Sequence, residues 1–70
     1  MKMENQNSNN STWFTHGWNM ARSLEYGDVK QQTYANSEFE RMAEGRYSHN
    51  PIVEENCNQF ISGWEKAMMN

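Results

Sequence analysis

The residues best suited to recognise a ligand lie in one short polar stretch, RYSH at positions 46–49. An arginine contacts phosphate or carboxylate groups, a tyrosine ring stacks on bases, and a histidine titrates near neutral pH. The stretch follows Gly45 and lies between two segments with helical patterns, so it is expected to form a turn. A binding role for Arg46, Tyr47 and His49 and a purely connecting role both fit this pattern.

Metal binding and catalysis find little support in the residue types and their spacing. His16, His49 and Cys57 show neither a C-x-x-C nor an H-x-x-x-H spacing, which zinc sites commonly use. Cys57 and His49 lack a third group to orient them for nucleophilic catalysis, and no glycine-rich phosphate loop occurs. We expect a protein that is not an enzyme and that uses no metal and no cofactor.

The acidic residues outnumber the basic ones by 9 to 6, which gives a net charge of −3 and a pI near 5.2. Glu54 and Glu55 belong either to a solvated helix face or to a contact with a basic protein surface. Arg41 has Glu38 three residues before it and Glu44 three residues after it. It can therefore pair along its own helix or extend the patch formed by the RYSH stretch.

The length of 70 residues allows one small domain, and only 36% of the residues are hydrophobic. No apolar run is long enough to span a membrane, and the N-terminus lacks the apolar core of a signal peptide. We therefore expect a cytoplasmic protein that does not contact membranes. The aliphatic content is thin, so a self-complementary apolar patch, and with it a homodimer, is compatible with the composition.

The pattern predicts an all-α domain over residues 11–70, preceded by a disordered polar tail over residues 1–10. The three predicted helices cover about 12–26, 29–45 and 51–68. Their starts carry capping signals, with Asp28 before the second helix and Asn50 before the third. A second capping signal at Ser37 leaves open a later start of the second helix.

Each predicted helix carries an apolar stripe at spacings of three and four residues, and the stripes are expected to meet in one core. The expected core residues are Phe14, Trp18, Leu24, Phe39, Met42, Val53, Cys57, Phe60, Trp64 and Ala67.

One motif occurs twice: F-x-x-G-W-x-x-A is found at positions 14–21 and again at positions 60–67. A glycine inside a helix costs up to about 1 kcal/mol relative to alanine. Two such glycines, each before a tryptophan, predict a close helix crossing at which a Cβ atom would clash. The tryptophans are interpreted as core residues, with an exposed edge of Trp64 as the alternative that would serve a partner.

The second half of the chain resembles the ribosome modulation factor family, including its CrpP-like small helical relatives. The matching pattern spans positions 39–68: a helix ending in Gly45, a short link, the Asn50-Pro51 turn, and a helix with Phe60 before G-W-x-x-A. Ile52 replaces the usual aromatic residue after the proline, and Phe60 replaces the usual tryptophan. Either Trp13–Tyr26 or Ser37–Gly45 is the counterpart of the first helix of the family.

The resemblance implies a helical protein that binds the small ribosomal subunit and modulates translation by occupancy. Its contact residues would come from Arg46, Tyr47, His49 and Trp64. The charge argues against direct RNA contact, because residues 37–70 carry the whole net charge of the chain. The alternative is an acidic inhibitor, of phage or mobile-element type, that binds a basic host protein in a nucleic-acid-handling complex. The candidate binding residues of both hypotheses together are Arg46, Tyr47, His49, Trp64, Arg41, Glu54 and Glu55.

Overall fold

A computed structural model describes residues 12–69 as three helices joined by short turns. Helix α1 covers Thr12–Tyr26, α2 covers Val29–Gly45 and α3 covers Pro51–Met69. Residues 12–69 contain no strand, so the predicted all-α, three-helix fold is confirmed. These bounds differ from the predicted ranges by one residue, at the end of α3. The tail predicted over residues 1–10 lies outside the described residues.

Side-chain caps fix where α2 and α3 begin. The Asp28 carboxylate accepts a hydrogen bond from the Gln31 backbone N–H at 2.9 Å, and the Gln31 side chain accepts from the Asp28 N–H at 2.8 Å. This reciprocal pair is a capping box, and α2 then runs through Ser37, so the later start is wrong. At α3, the Asn50 side-chain oxygen accepts from the Ile52 N–H at 2.9 Å.

Helices α1 and α3 cross in close contact at the two repeated motifs. A Cβ atom on Gly17 would overlap the carbonyl oxygen of Phe60 and would lie 2.7 Å from its carbonyl carbon. A Cβ atom on Gly63 would overlap the carbonyl oxygen of Phe14 in the same way, 2.8 Å from the carbonyl carbon. Only glycine permits this approach of two backbones. The predicted close crossing is confirmed.

The crossing is parallel and reciprocal. Near the start of α1, Trp13 lines a groove together with Val53 and Cys57, whereas near its end Leu24 lines one with Ala67. Both helices therefore run in the same direction, and residues of α1 match residues 46 positions later in α3. Each motif packs on its counterpart through the same positions, as in the contact of two subunits around a two-fold axis.

Helix α2 covers only one side of the α1–α3 pair. The Phe39 ring lies 4.7 Å from the Trp64 ring, and the Cys57 thiol lies 3.6 Å from the Met42 sulfur. As a result Trp64 is only 7% exposed, whereas its counterpart Trp18 stays half-buried. The approximate two-fold symmetry of the pair is thus broken by the third helix.

One of the expected core residues is exposed, and five others are only partly buried. Val53 is 40% exposed and is not a core residue, because it sits in the first turn of α3 at the end of the bundle. The expected residues that are only partly buried are Phe14, Trp18, Leu24, Phe39 and Ala67. The buried hydrophobic residues are Ala21, Ala35, Met42, Cys57, Phe60, Ile61 and Trp64.

Candidate functional site

The turn between α2 and α3 is held in one conformation by backbone and side-chain hydrogen bonds. The Tyr47 N–H donates to the Glu44 carbonyl at 3.2 Å, and the Ser48 N–H donates to the Gly45 carbonyl at 3.0 Å. The Ser48 hydroxyl oxygen accepts from the Asn50 N–H at 3.0 Å. Because both helix ends are capped in this way, the turn can present its other side chains in a fixed arrangement.

We call six exposed side chains of this turn and of the first two turns of α3 the turn surface. Its members are Arg46, Tyr47, His49, Ile52, Glu54 and Glu55. The Arg46 guanidinium carbon lies 5.5 Å from the centre of the Tyr47 ring, and Tyr47 is 76% exposed. No carboxylate of residues 12–69 pairs with Arg46. The arrangement offers a cation and a ring side by side.

Carboxylates and an apolar side chain complete the turn surface. Ile52, directly after the proline, is 71% exposed. Glu54 and Glu55 are also exposed, and Glu54 stands in the first turn of α3, where the helix dipole favours negative charge. The two carboxylates outnumber Arg46, the permanent cation of this surface. An apolar centre beside charged groups is typical of protein-binding surfaces.

Two of the candidate binding residues have structural roles. Trp64 is only 7% exposed because α2 covers its ring, so the expectation of an exposed Trp64 edge is wrong. The Arg41 guanidinium donates to both oxygens of Glu38, at 2.9 and 3.0 Å. This pairing holds the Arg41 guanidinium on Glu38 within α2, and Arg41 also lines a groove with Val53 in the first turn of α3.

Glu38 is the centre of a polar cluster that sequence reasoning missed. It is 8% exposed, and His16 of α1 lies 3.4 Å from its second oxygen. Burial raises the pKa of Glu38, but hydrogen bonds from Arg41 and His16 outweigh burial, so the pKa is lowered below its ordinary value. The His16 ring in turn packs edge-on against Phe60 at 5.3 Å. No local pattern could reveal a contact between residues 22 positions apart.

A second surface feature, also missed, runs along α1. The Arg22 guanidinium carbon lies 5.0 Å from the Trp18 ring and 4.7 Å from the Tyr26 ring. These residues are four positions apart, so the spacing alone could have indicated one row on the helix surface. The Glu25 carboxylate raises the pKa of Tyr26 by a hydrogen bond and by its charge. The row therefore contains both signs of charge at the end of α1.

Among residues 12–69, no group of three or more histidine, cysteine or acidic side chains is placed to hold a metal ion. Cys57 is a buried free thiol. None of the described helices combines the length and the apolar character needed to cross a bilayer.

Comparisons with protein-family models, with curated proteins and with solved structures find no match to this chain.

Proposed function

We propose that this protein is a non-enzymatic binding protein that modulates translation by occupying part of the small ribosomal subunit. The observation that carries the proposal is Arg46, which lies over the exposed ring of Tyr47 in a turn fixed by hydrogen bonds and pairs with no carboxylate of residues 12–69. Arginine binds phosphate oxygens in a forked geometry, and a tyrosine ring stacks on unpaired bases. The exposed His49 of the same turn would add a third side chain to this contact with RNA.

The rigidity of the scaffold supports action by occupancy. The crossing at Gly17 and Gly63 joins two backbones directly, and α2 is anchored to that pair through Trp64 and Glu38. A preorganised surface loses little conformational entropy on binding. In this proposal the turn surface docks as a unit and changes the state of the ribosome by its presence alone.

Co-sedimentation of the full chain with purified small ribosomal subunits tests this proposal. The chain should sediment with the subunits at low salt, and binding should weaken steeply as salt rises, because phosphate contacts release counterions. The paired substitution Arg46→Gln and Tyr47→Ala should abolish co-sedimentation. Lys30→Gln is the matched control, because Lys30 is exposed at the opposite end of α2. A chain that stays at the top of the gradient at low salt contradicts the proposal.

A second candidate function is an acidic inhibitor, of phage or mobile-element type, of a nucleic-acid-handling host complex. It is favoured by Glu54 and Glu55, which are exposed shortly after the exposed Ile52 at the start of α3 and would complement a basic protein surface. The substitution of both glutamates by glutamine separates the two candidates by the sign of its effect. It should strengthen binding to RNA by removing repulsion, whereas it should weaken binding to a basic protein by removing attraction.

A further inference from the structure

The reciprocal crossing of α1 and α3 creates two equivalent grooves, one on each side of the helix pair. Helix α2 fills the groove that contains Trp64. We call the other one the second groove, and on its α1 side it is lined by Trp18 and Arg22, the counterparts of Trp64 and Met68. Trp18 remains half-buried there because no helix of residues 12–69 covers it.

The α3 side of the second groove follows from the same relationship. The α1 residues that face α2 include Trp13, His16 and Met20, which contact α2 or line grooves with it. Residues 46 positions later take the equivalent places in α3 and therefore face the second groove. They are Gln59, Ser62 and Lys66.

Charge is distributed unevenly along the second groove. Arg22 and Lys66 lie toward its C-terminal end, where the two cations outnumber Glu25, which lines a groove together with Arg22. Glu55 lies toward its N-terminal end and accepts a hydrogen bond from the Gln59 side chain at 2.7 Å. Glu55 and Lys66 are separated by about 16 Å along the helix at a rise of 1.5 Å per residue. A partner of uniform charge would match only one end of this groove.

A second copy of the chain matches both ends. If it packs antiparallel through its own second groove, its Glu55 meets Arg22 and Lys66, and its cations meet Glu55. Such an interface is self-complementary, as a two-fold dimer requires. It also buries the Trp18 rings of both copies, just as α2 buries Trp64 on the other side of the helix pair. We propose that the second groove is the interface of a homodimer.

Sedimentation velocity of the full chain over a series of concentrations tests this proposal by charge reversal. The wild-type chain should form a dimer. Glu55→Lys and Lys66→Glu alone should each raise the dimer dissociation constant by roughly tenfold or more, because like charges then face each other. The double variant should dimerise more tightly than either single variant, because the pair between positions 55 and 66 is re-formed with opposite polarity while Arg22 is unchanged.

Glu54→Lys is the matched control, since Glu54 is exposed in the same helix turn but lies outside the second groove. It should leave the dissociation constant unchanged. Circular dichroism verifies that each variant keeps its helices. A wild-type chain that stays monomeric up to its solubility limit, or a double variant that is no better than the single ones, overturns the proposal. Neither result depends on ribosome binding.

Discussion

Gly17 of α1 lies directly against the backbone carbonyl of Phe60 in α3, at a distance that excludes any side chain. The same contact occurs between Gly63 and Phe14 with the helices exchanged. This exchange fixes the point at which the two helices cross and leaves two grooves beside them, while the grooves at the two ends of the pair show that the helices are parallel. Helix α2 fills one of these grooves and covers Trp64, whereas Trp18 lies in the other groove and is only half-buried.

Gly17→Ala should destabilise the protein by about 3 kcal/mol, because the new Cβ would overlap the Phe60 carbonyl and force the helices apart. This loss is expected although alanine by itself stabilises a helix by up to about 1 kcal/mol relative to glycine. Urea denaturation measures the change. Asn19→Ala, at an exposed position of α1, is the control and should change stability by no more than about 0.5 kcal/mol. A Gly17→Ala variant as stable as the wild type would contradict the crossing.

The two tryptophans should differ in their contribution to stability, although they occupy the same position of the repeated motif. Trp64→Ala should cost about 3–5 kcal/mol, because α2 covers that ring. Trp18→Ala should cost clearly less when the protein is dilute enough to be monomeric. Urea denaturation of both variants measures the two losses in the free energy of unfolding. Equal losses would contradict the finding that α2 covers Trp64 and leaves Trp18 uncovered.

Much of the helix layout could be predicted, because caps and stop signals are local. Asp28 with Gln31 and Asn50 with Pro51 mark helix starts within a few residues of sequence. The close crossing could be predicted as well, because a glycine within a helix lowers helix stability and is expected where a larger side chain would not fit.

The burial pattern and the polar cluster could not be predicted, because they depend on which side α2 covers. Periodicity identifies an apolar face but not the helix that packs on it, so Trp18 and Trp64 looked alike. It also gave no reason to bury Ala35 or Glu38, whose partners are distant in sequence. Of the turn surface, Arg46 could be recognised from its residue type, whereas the exposure of Ile52 depends on the end of the bundle.

Glu38→Gln should destabilise the protein by about 1–3 kcal/mol at neutral pH. The substitution keeps the size of the side chain but removes the charge that accepts hydrogen bonds from Arg41 and His16 at a buried site. Thermal or urea denaturation measures the loss. Glu40→Gln, on the exposed side of α2, is the control and should change stability by no more than about 0.5 kcal/mol.

The contribution of Glu38 should also depend on pH. Its pKa is lower in the folded protein than its ordinary value of 4.5, so ionised Glu38 favours the folded state. This stabilisation is fully present above that ordinary value and is lost as the pH falls through the lowered, folded-state pKa. The stability difference between the wild type and Glu38→Gln should therefore shrink from neutral pH to about pH 3. A difference that stays constant over this range would mean that Glu38 titrates normally.

The most direct test of the central claim is a nuclear Overhauser experiment on the labelled full chain. The account predicts cross-peaks between the Hα protons of Gly17 and the Hα proton of Phe60, and between those of Gly63 and the Hα proton of Phe14. Such contacts arise only where two helix backbones touch. If the glycine Hα protons show cross-peaks only within their own helices, the reciprocal crossing, and with it the second groove, is contradicted.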